Sequence, residues 1–193
     1  MVKIVCITHM VRRLLITTVF ILVLGSSFRE PLSIFNITKG NITFSSDAPL
    51  ELITAASNEL KGLIETEKKQ FAFSIKVKSF KGFNSGFQRD HFNENYLETD
   101  KYPDATFSGK IIEDVDFTKN SIVSVRAKGI LTVHGIPKER IIKSDMTIKD
   151  GLIFIKANFT VLLADHNIPI PKVVHEKLAS EIKVEVNCEF KAR

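Results

Sequence analysis

Five side chains near the C-terminus, Ile182, Val184, Val186, Cys188 and Phe190, alternate without a break with Lys183, Glu185, Asn187, Glu189 and Lys191. A repeat of two puts each set on its own side of an extended chain, so the segment reads as a strand with one dry face and one wet face. Phe71, Phe73, Ile75 and Val77 alternate with Ala72, Ser74, Lys76 and Lys78 in the same way. A helix of period 3.6 would smear these apolar residues around its circumference, whereas an antiparallel sheet with one solvated face uses them as they stand.

The pattern continues through the middle of the chain. Val123, Val125, Ala127, Gly129, Leu131 and Val133 share one face of residues 121–134, against Ser124, Arg126, Lys128, Thr132 and His134 on the other. Strands over residues 138–148 and 152–163 are joined by Lys149-Asp150-Gly151, where Asp-Gly marks a tight hairpin because Gly tolerates positive φ. His134-Gly135-Ile136-Pro137 makes a similar, looser turn. Weaker strand patterns cover residues 35–44, 50–55, 59–66 and 105–112. About nine candidates and no long helical pattern predict an all-β chain. An antiparallel barrel of about eight strands would close off the edges that such apolar strands otherwise expose, and a two-sheet sandwich is the rival.

Two segments interrupt the alternation. Residues 80–97 carry Phe80, Phe83, Phe87 and Phe92 with Gly82 and Gly86, and residues 164–180 carry Pro169 and Pro171 before Val173, Val174, His175 and Leu178. Both read as loops with one or two short helices, placed to cover or plug the ends of a barrel. If the first is helical, Phe80, Phe83 and Phe87 at i, i+3 and i+7 share one face that can close over a barrel mouth, with Lys81 and Arg89 at the rim.

The first 27 residues read as an export signal and not as part of the fold. Lys3, Arg12 and Arg13 precede the apolar stretch 14–24, and Gly25-Ser26-Ser27 supplies small residues for cleavage. This leaves residues 28–193 as a single domain with no stable membrane span, exported to the periplasm or beyond. The whole chain carries 27 Lys and Arg against 22 Asp and Glu; three of the cations belong to the signal, so the remainder has a net charge of +2. No basic block with interleaved stacking aromatics is present, so a nucleic-acid partner is not expected. Cys6 lies in the signal, leaving Cys188 alone among apolar neighbours as an inert buried thiol.

Catalytic constellations are sparse. His91 and Glu94 have H-x-x-E spacing beside Arg89 and Asp90, but no H-E-x-x-H motif or cysteine set converges with them, so no metal is expected. Asp165-His166 and His134-Gly135 lack the nucleophile that a Gly-x-Ser-x-Gly elbow or a Cys-His pair would supply. Glycine-rich phosphate loops are missing as well. The chain is therefore not expected to be an enzyme. Its conspicuous asset is apolar surface: 14 of its 15 Phe follow residue 27, and Trp is absent.

Two stretches carry a family resemblance: Arg89 to Phe107, which contains Asp90-His91-Phe92 near its head, then Lys101-Tyr102-Pro103 and Ala105-Thr106-Phe107; and Gly129 to Lys138, reading Gly-Ile-Leu-Thr-Val-His-Gly-Ile-Pro-Lys. Together they resemble the YceI-like family of exported bacterial proteins. The resemblance implies a lipocalin-like barrel that holds an isoprenoid quinone, a polyprenyl compound or a similar lipid-like small molecule without covalent attachment, and it implies no catalytic cofactor. Phe71, Phe73, Ile75, Val125, Leu131 and Phe159 are then expected along the cavity. Phe83 and Phe87 are expected in its lid, and Lys81 and Arg89 near an anionic headgroup. The competing reading is a structural or interaction protein of the envelope, its barrel filled by side chains. The stretch before Phe71 is short for the family and implies a trimmed early strand pair.

Overall fold

The computed structural model describes residues 34–193; the expected export signal lies outside the described residues. Nine antiparallel strands follow in chain order: β1 (Ile34–Asp47), β2 (Leu52–Ser57), β3 (Lys61–Glu65), β4 (Gln70–Lys76), β5 (Asp104–Ile111), β6 (Ser121–Val133), β7 (Ile136–Lys149), β8 (Leu152–Leu162) and β9 (Glu181–Ala192). β2 and β3 lie end to end along one edge of β1, which pairs residues 42–47 with β2 and residues 34–36 with β3. The other edge of β1 pairs with β9, so the sheet closes on itself as a barrel of eight strand positions, the broken strand β2/β3 filling one of them. Closure gives every strand of the wall a neighbour on both sides over at least part of its length, as the apolar alternation requires. The sandwich reading is thereby excluded, and no early strand pair is missing from the wall.

Local chemistry sets the turns. His134 (φ 51°) with Gly135 (φ 70°), and Asp150 (φ 51°) with Gly151 (φ 76°), both adopt left-handed backbone and form the two-residue hairpins β6–β7 and β7–β8. At the first, β6 and β7 pair along their whole length, from Ser121↔Ile148 to Val133↔Ile136. β7 and β8 behave differently: their ladder runs only from Lys149↔Leu152 to Ser144↔Ala157 and then opens. Across the opening Arg140 Nη2 donates to the Thr160 carbonyl at 2.8 Å. Gly109 and Gly129 face each other in register on β5 and β6. The strands approach so closely there that a Cβ on Gly129 would lie 2.3 Å from the Ser108 carbonyl oxygen.

The interior divides along the barrel axis. At the end that carries the β7–β8 turn, Met146, Ile153 and Phe190 are wholly buried, with Ile64, Ile148 and Phe71 nearly so. Phe190 meets Phe73 edge-on at 5.8 Å, and Phe71 meets Phe107 at 4.9 Å. Ile148, Ile153 and Phe190 pack as an ordinary core, and Met146, Ile64, Phe71, Phe73 and Phe107 form the floor and lower wall of the lumen above it.

The opposite end is covered by the two segments that break the alternation. The first contains helix α1 (Gly86–His91), capped by Ser85 Oγ accepting from the Gln88 N–H at 3.1 Å, and runs on as a single π-helical turn over Phe92–Tyr96. The second contains two 3₁₀ turns, Leu163–His166 and Lys172–Val174. Val77, Leu97, Leu163 and Ile168 form a small separate core beneath these covers.

The helix is shorter than the spacing of Phe80, Phe83 and Phe87 predicts. Because Ser85 caps it, Phe80 and Phe83 precede it in non-helical chain, which a main-chain bridge between Ala56 and Lys81 holds. The single helical face through all three rings is therefore corrected. Phe87, in the first turn, points outward, is 73% exposed and meets the His91 ring at a tilt, 4.1 Å between centroids.

Candidate functional site

Above the packed half the barrel is hollow. Two adjoining cavities of about 110 and 190 Å³ share Ile42, Ile75, Ala105, Leu131 and Phe159 in their walls. The deeper one reaches down to Phe71, Phe73 and Val125. The upper one rises to Phe83, Phe92 and Leu163 under the covers. The walls of both are carbon almost throughout. An apolar cavity of about 150 Å³ stays dry and accepts a small hydrocarbon, so a space of this size and chemistry suits an apolar guest better than water.

Small residues make the room. Ala105, Ala127 and Ala157 take inward positions where Leu or Phe would close the lumen. Along β1 the inward positions run Ile42, Phe44 and Ser46. Phe44 is the hub of the cover: its ring stacks on Phe92 at 5.3 Å and meets Phe80 edge-on at 5.1 Å and Phe83 at 5.9 Å. Ser46, 1% exposed, accepts from the Ala179 N–H at 2.8 Å and so ties the second cover to the barrel wall. Gln88 donates to Glu51 Oε1 at 3.0 Å and fastens α1 to the β1–β2 loop.

Of the residues that sequence reasoning selects, Phe71, Phe73, Ile75, Val125, Leu131 and Phe159 all border the deeper cavity, and Phe83 borders the upper one. Phe87, Lys81 and Arg89 border neither. Lys81 is exposed, and Arg89 faces Asp90 at 3.4 Å on the outer side of α1. Phe44 and Gln88 escape sequence reasoning. The signal for Phe44 is its parity with Ile42, which the polar Ser46 obscures at the next inward position.

The two sequence signatures meet at the covered end. The Tyr102 ring packs against Gly135, where a Cβ would come within 2.5 Å of Tyr102 Cε1, and it meets the His134 ring edge-on at 4.7 Å. His134 Nε2 lies 2.7 Å from Glu98 Oε2, and its Nδ1 lies 3.1 Å from the His166 carbonyl. His166 is completely buried with Nδ1 3.0 Å from the Ile136 carbonyl, and burial lowers its pKa from the usual 6.5. These residues clamp the β6–β7 hairpin to both covers, and none of them borders a cavity. Among the described residues no group of three or more His, Cys, Asp or Glu is placed to hold a metal ion. Burial pushes the Cys188 thiol up to about 12, which removes its nucleophilic form at neutral pH. No described helix is long and apolar enough to cross a membrane.

The barrel is shared with known structures. A polyisoprenoid binding domain from Saccharophagus degradans implicated in plant cell wall breakdown superimposes with a TM-score of 0.68 at 16% identity, covering 82% of this chain and 98% of that one. BcnA of Burkholderia cenocepacia gives a TM-score of 0.65 at 13% identity over 78% of this chain and 95% of its own. The YCEI protein of Campylobacter jejuni gives 0.50 at 18% identity over 80% and 82%. Among curated proteins no sequence matches. The YceI-like domain pattern matches residues 34–190, nearly all of the described barrel, and the chain belongs to the YceI-like family.

Proposed function

We propose that this protein is a non-enzymatic carrier that holds an elongated apolar molecule, such as an isoprenoid quinone or a polyprenyl lipid, inside its barrel in the bacterial envelope. The observation that carries this reading is the hollow upper half: two adjoining carbon-walled cavities of about 110 and 190 Å³ beneath a cover built from phenylalanines. Each methylene moved from water into such a wall contributes about 0.8 kcal/mol, so a guest of modest length offsets the entropy it loses on binding. One of the structural relatives is described as a polyisoprenoid binding domain, which supports the choice of ligand class. The basic and apolar N-terminal 27 residues support export to the periplasm or secretion. Lys81 and Arg89, on the exposed side of the first cover, are the candidates for contact with a polar or anionic headgroup left at the mouth.

The rival, a filled barrel acting through its outer surface, draws on the packed lower half. It does not account for alanines at inward positions beside open space. Native mass spectrometry of gently purified protein separates the two. A co-purified lipid, or uptake of an added polyprenol or quinone at one per chain, is the expected result; an apo mass that stays unchanged with either addition sinks the carrier reading.

A further inference from the structure

The lumen is not uniformly apolar. Ser144 on β7 stands between the buried Ile142 and Met146 on the inward face and pairs in register with the inward residues Val125 of β6 and Ala157 of β8. It borders the deeper cavity, is 7% exposed, and makes no hydrogen bond through its hydroxyl among the described residues. Ser74 and Thr106 border the same cavity, yet they alternate with inward Phe73, Ile75, Ala105 and Phe107, so their hydroxyls belong to the outer face. Ser46, higher in the lumen, is already engaged with the Ala179 N–H. Ser144 thus offers the deeper cavity its free inward-facing hydroxyl.

A lone hydroxyl amid hydrocarbon is unfavourable unless something bonds to it, and alanine or valine at this place would avoid that cost. The site is also where the wall begins to give way. Ser144↔Ala157 is the last rung of the β7–β8 ladder before the two strands part, and alanines at 127 and 157 leave space in front of the hydroxyl. The geometry points to Ser144 as a specificity residue: the ligand carries a hydrogen-bonding oxygen, a carbonyl, hydroxyl or ether, on the part of its apolar body that enters the barrel most deeply. This rests on the carrier reading and narrows it, since a guest whose inserted end is plain hydrocarbon leaves Ser144 unpaired.

Matched probes test it. Hexadecane and 2-hexadecanone are competed against a fluorescent apolar dye in the wild-type protein and in Ser144→Ala and Ser144→Thr variants, with thermal midpoints checking that each is folded. The ratio of ketone to hexadecane affinity should be about three- to tenfold higher in wild type than in Ser144→Ala, the range one net hydrogen bond provides. Hexadecane affinity should stay within about twofold in Ser144→Ala, and Ser144→Thr, which keeps the hydroxyl, should keep the wild-type ratio. The same ratio in wild type and Ser144→Ala, as expected if Ser144 binds a buried water only or the ketone oxygen stays at the mouth, overturns the inference. In that case hexadecane still displaces the dye and the carrier reading stands; displacement by neither probe brings down both.

Discussion

The two ends of the barrel are built from the same alternating strands and have opposite interiors. Around the β7–β8 turn Ile148, Ile153 and Phe190 are buried and border neither cavity. Toward the covers the same strands leave two cavities bordered by Ala105, Ala127, Ala157 and Phe159. Alternation decides which residues point inward, and residue volume decides whether they meet. The packed end secures the fold, so the covered end is free to stay open without unfolding the chain.

The contrast is sharpest at Phe190. Phe190→Ala should cost about 3–5 kcal/mol, because the site is closed on every side and cannot collapse around the void. A urea unfolding curve that moves by less than about 1 kcal/mol would show that this end is looser than its burial indicates. A second wall position is expected to cost somewhat less: Gly129→Ala forces a methyl to within 2.3 Å of the Ser108 carbonyl and should lower stability by about 1–3 kcal/mol through displacement of β5 from β6. An unchanged denaturation midpoint would mean that the two strands can separate freely.

At the covered end the balance should invert. Phe83→Ser removes a ring from the cluster around Phe44 and opens the upper cavity, so ligand release should quicken about tenfold while stability falls by less than for Phe190→Ala. Phe87→Ser, on an outward-facing ring, should change stability by no more than about 0.5 kcal/mol and leave release alone. Stopped-flow release and thermal melts on both variants check this, and equal effects of the two would remove the distinction between inner and outer rings.

A further effect is on pH. Burial lowers the folded-state pKa of His166 from 6.5, so its contribution to stability is complete above about pH 6.5. As pH falls below that value the unfolded chain takes up a proton that the folded chain refuses. Stability then declines by up to about 1.4 kcal/mol per pH unit until the folded-state pKa is passed. His166→Gln should flatten that part of the profile, and a slope identical to wild type would assign the loss to other groups.

Much of the wall is legible in the sequence, because a repeat of two has one structural meaning and because Asp150-Gly151 and His134-Gly135 carry the backbone chemistry of tight hairpins. The inward parity of Phe71, Phe73, Ile75, Val125, Leu131 and Phe159 follows from the same repeat. The hollow does not, since Ala127 and Ala157 read identically whether a neighbour fills the space or leaves it. Phe87 shows another limit: its spacing from Phe80 and Phe83 matters only within one helix, and Ser85 starts that helix after both of them. Phe44 was hidden by Ser46, whose hydroxyl looks polar in sequence and is buried against the Ala179 N–H in the fold.

Methyl NMR with an added polyprenol tests the central claim, a guest held inside the covered end, most directly. With isoleucine, leucine and valine methyls labelled, shifts are expected at Ile42, Ile75, Val125 and Leu131, which border the cavities, while Ile148 and Ile153 in the packed end stay in place. Shifts confined to the exposed Ile122 and Ile141 on the outer wall, or no shifts at saturating lipid, would contradict it.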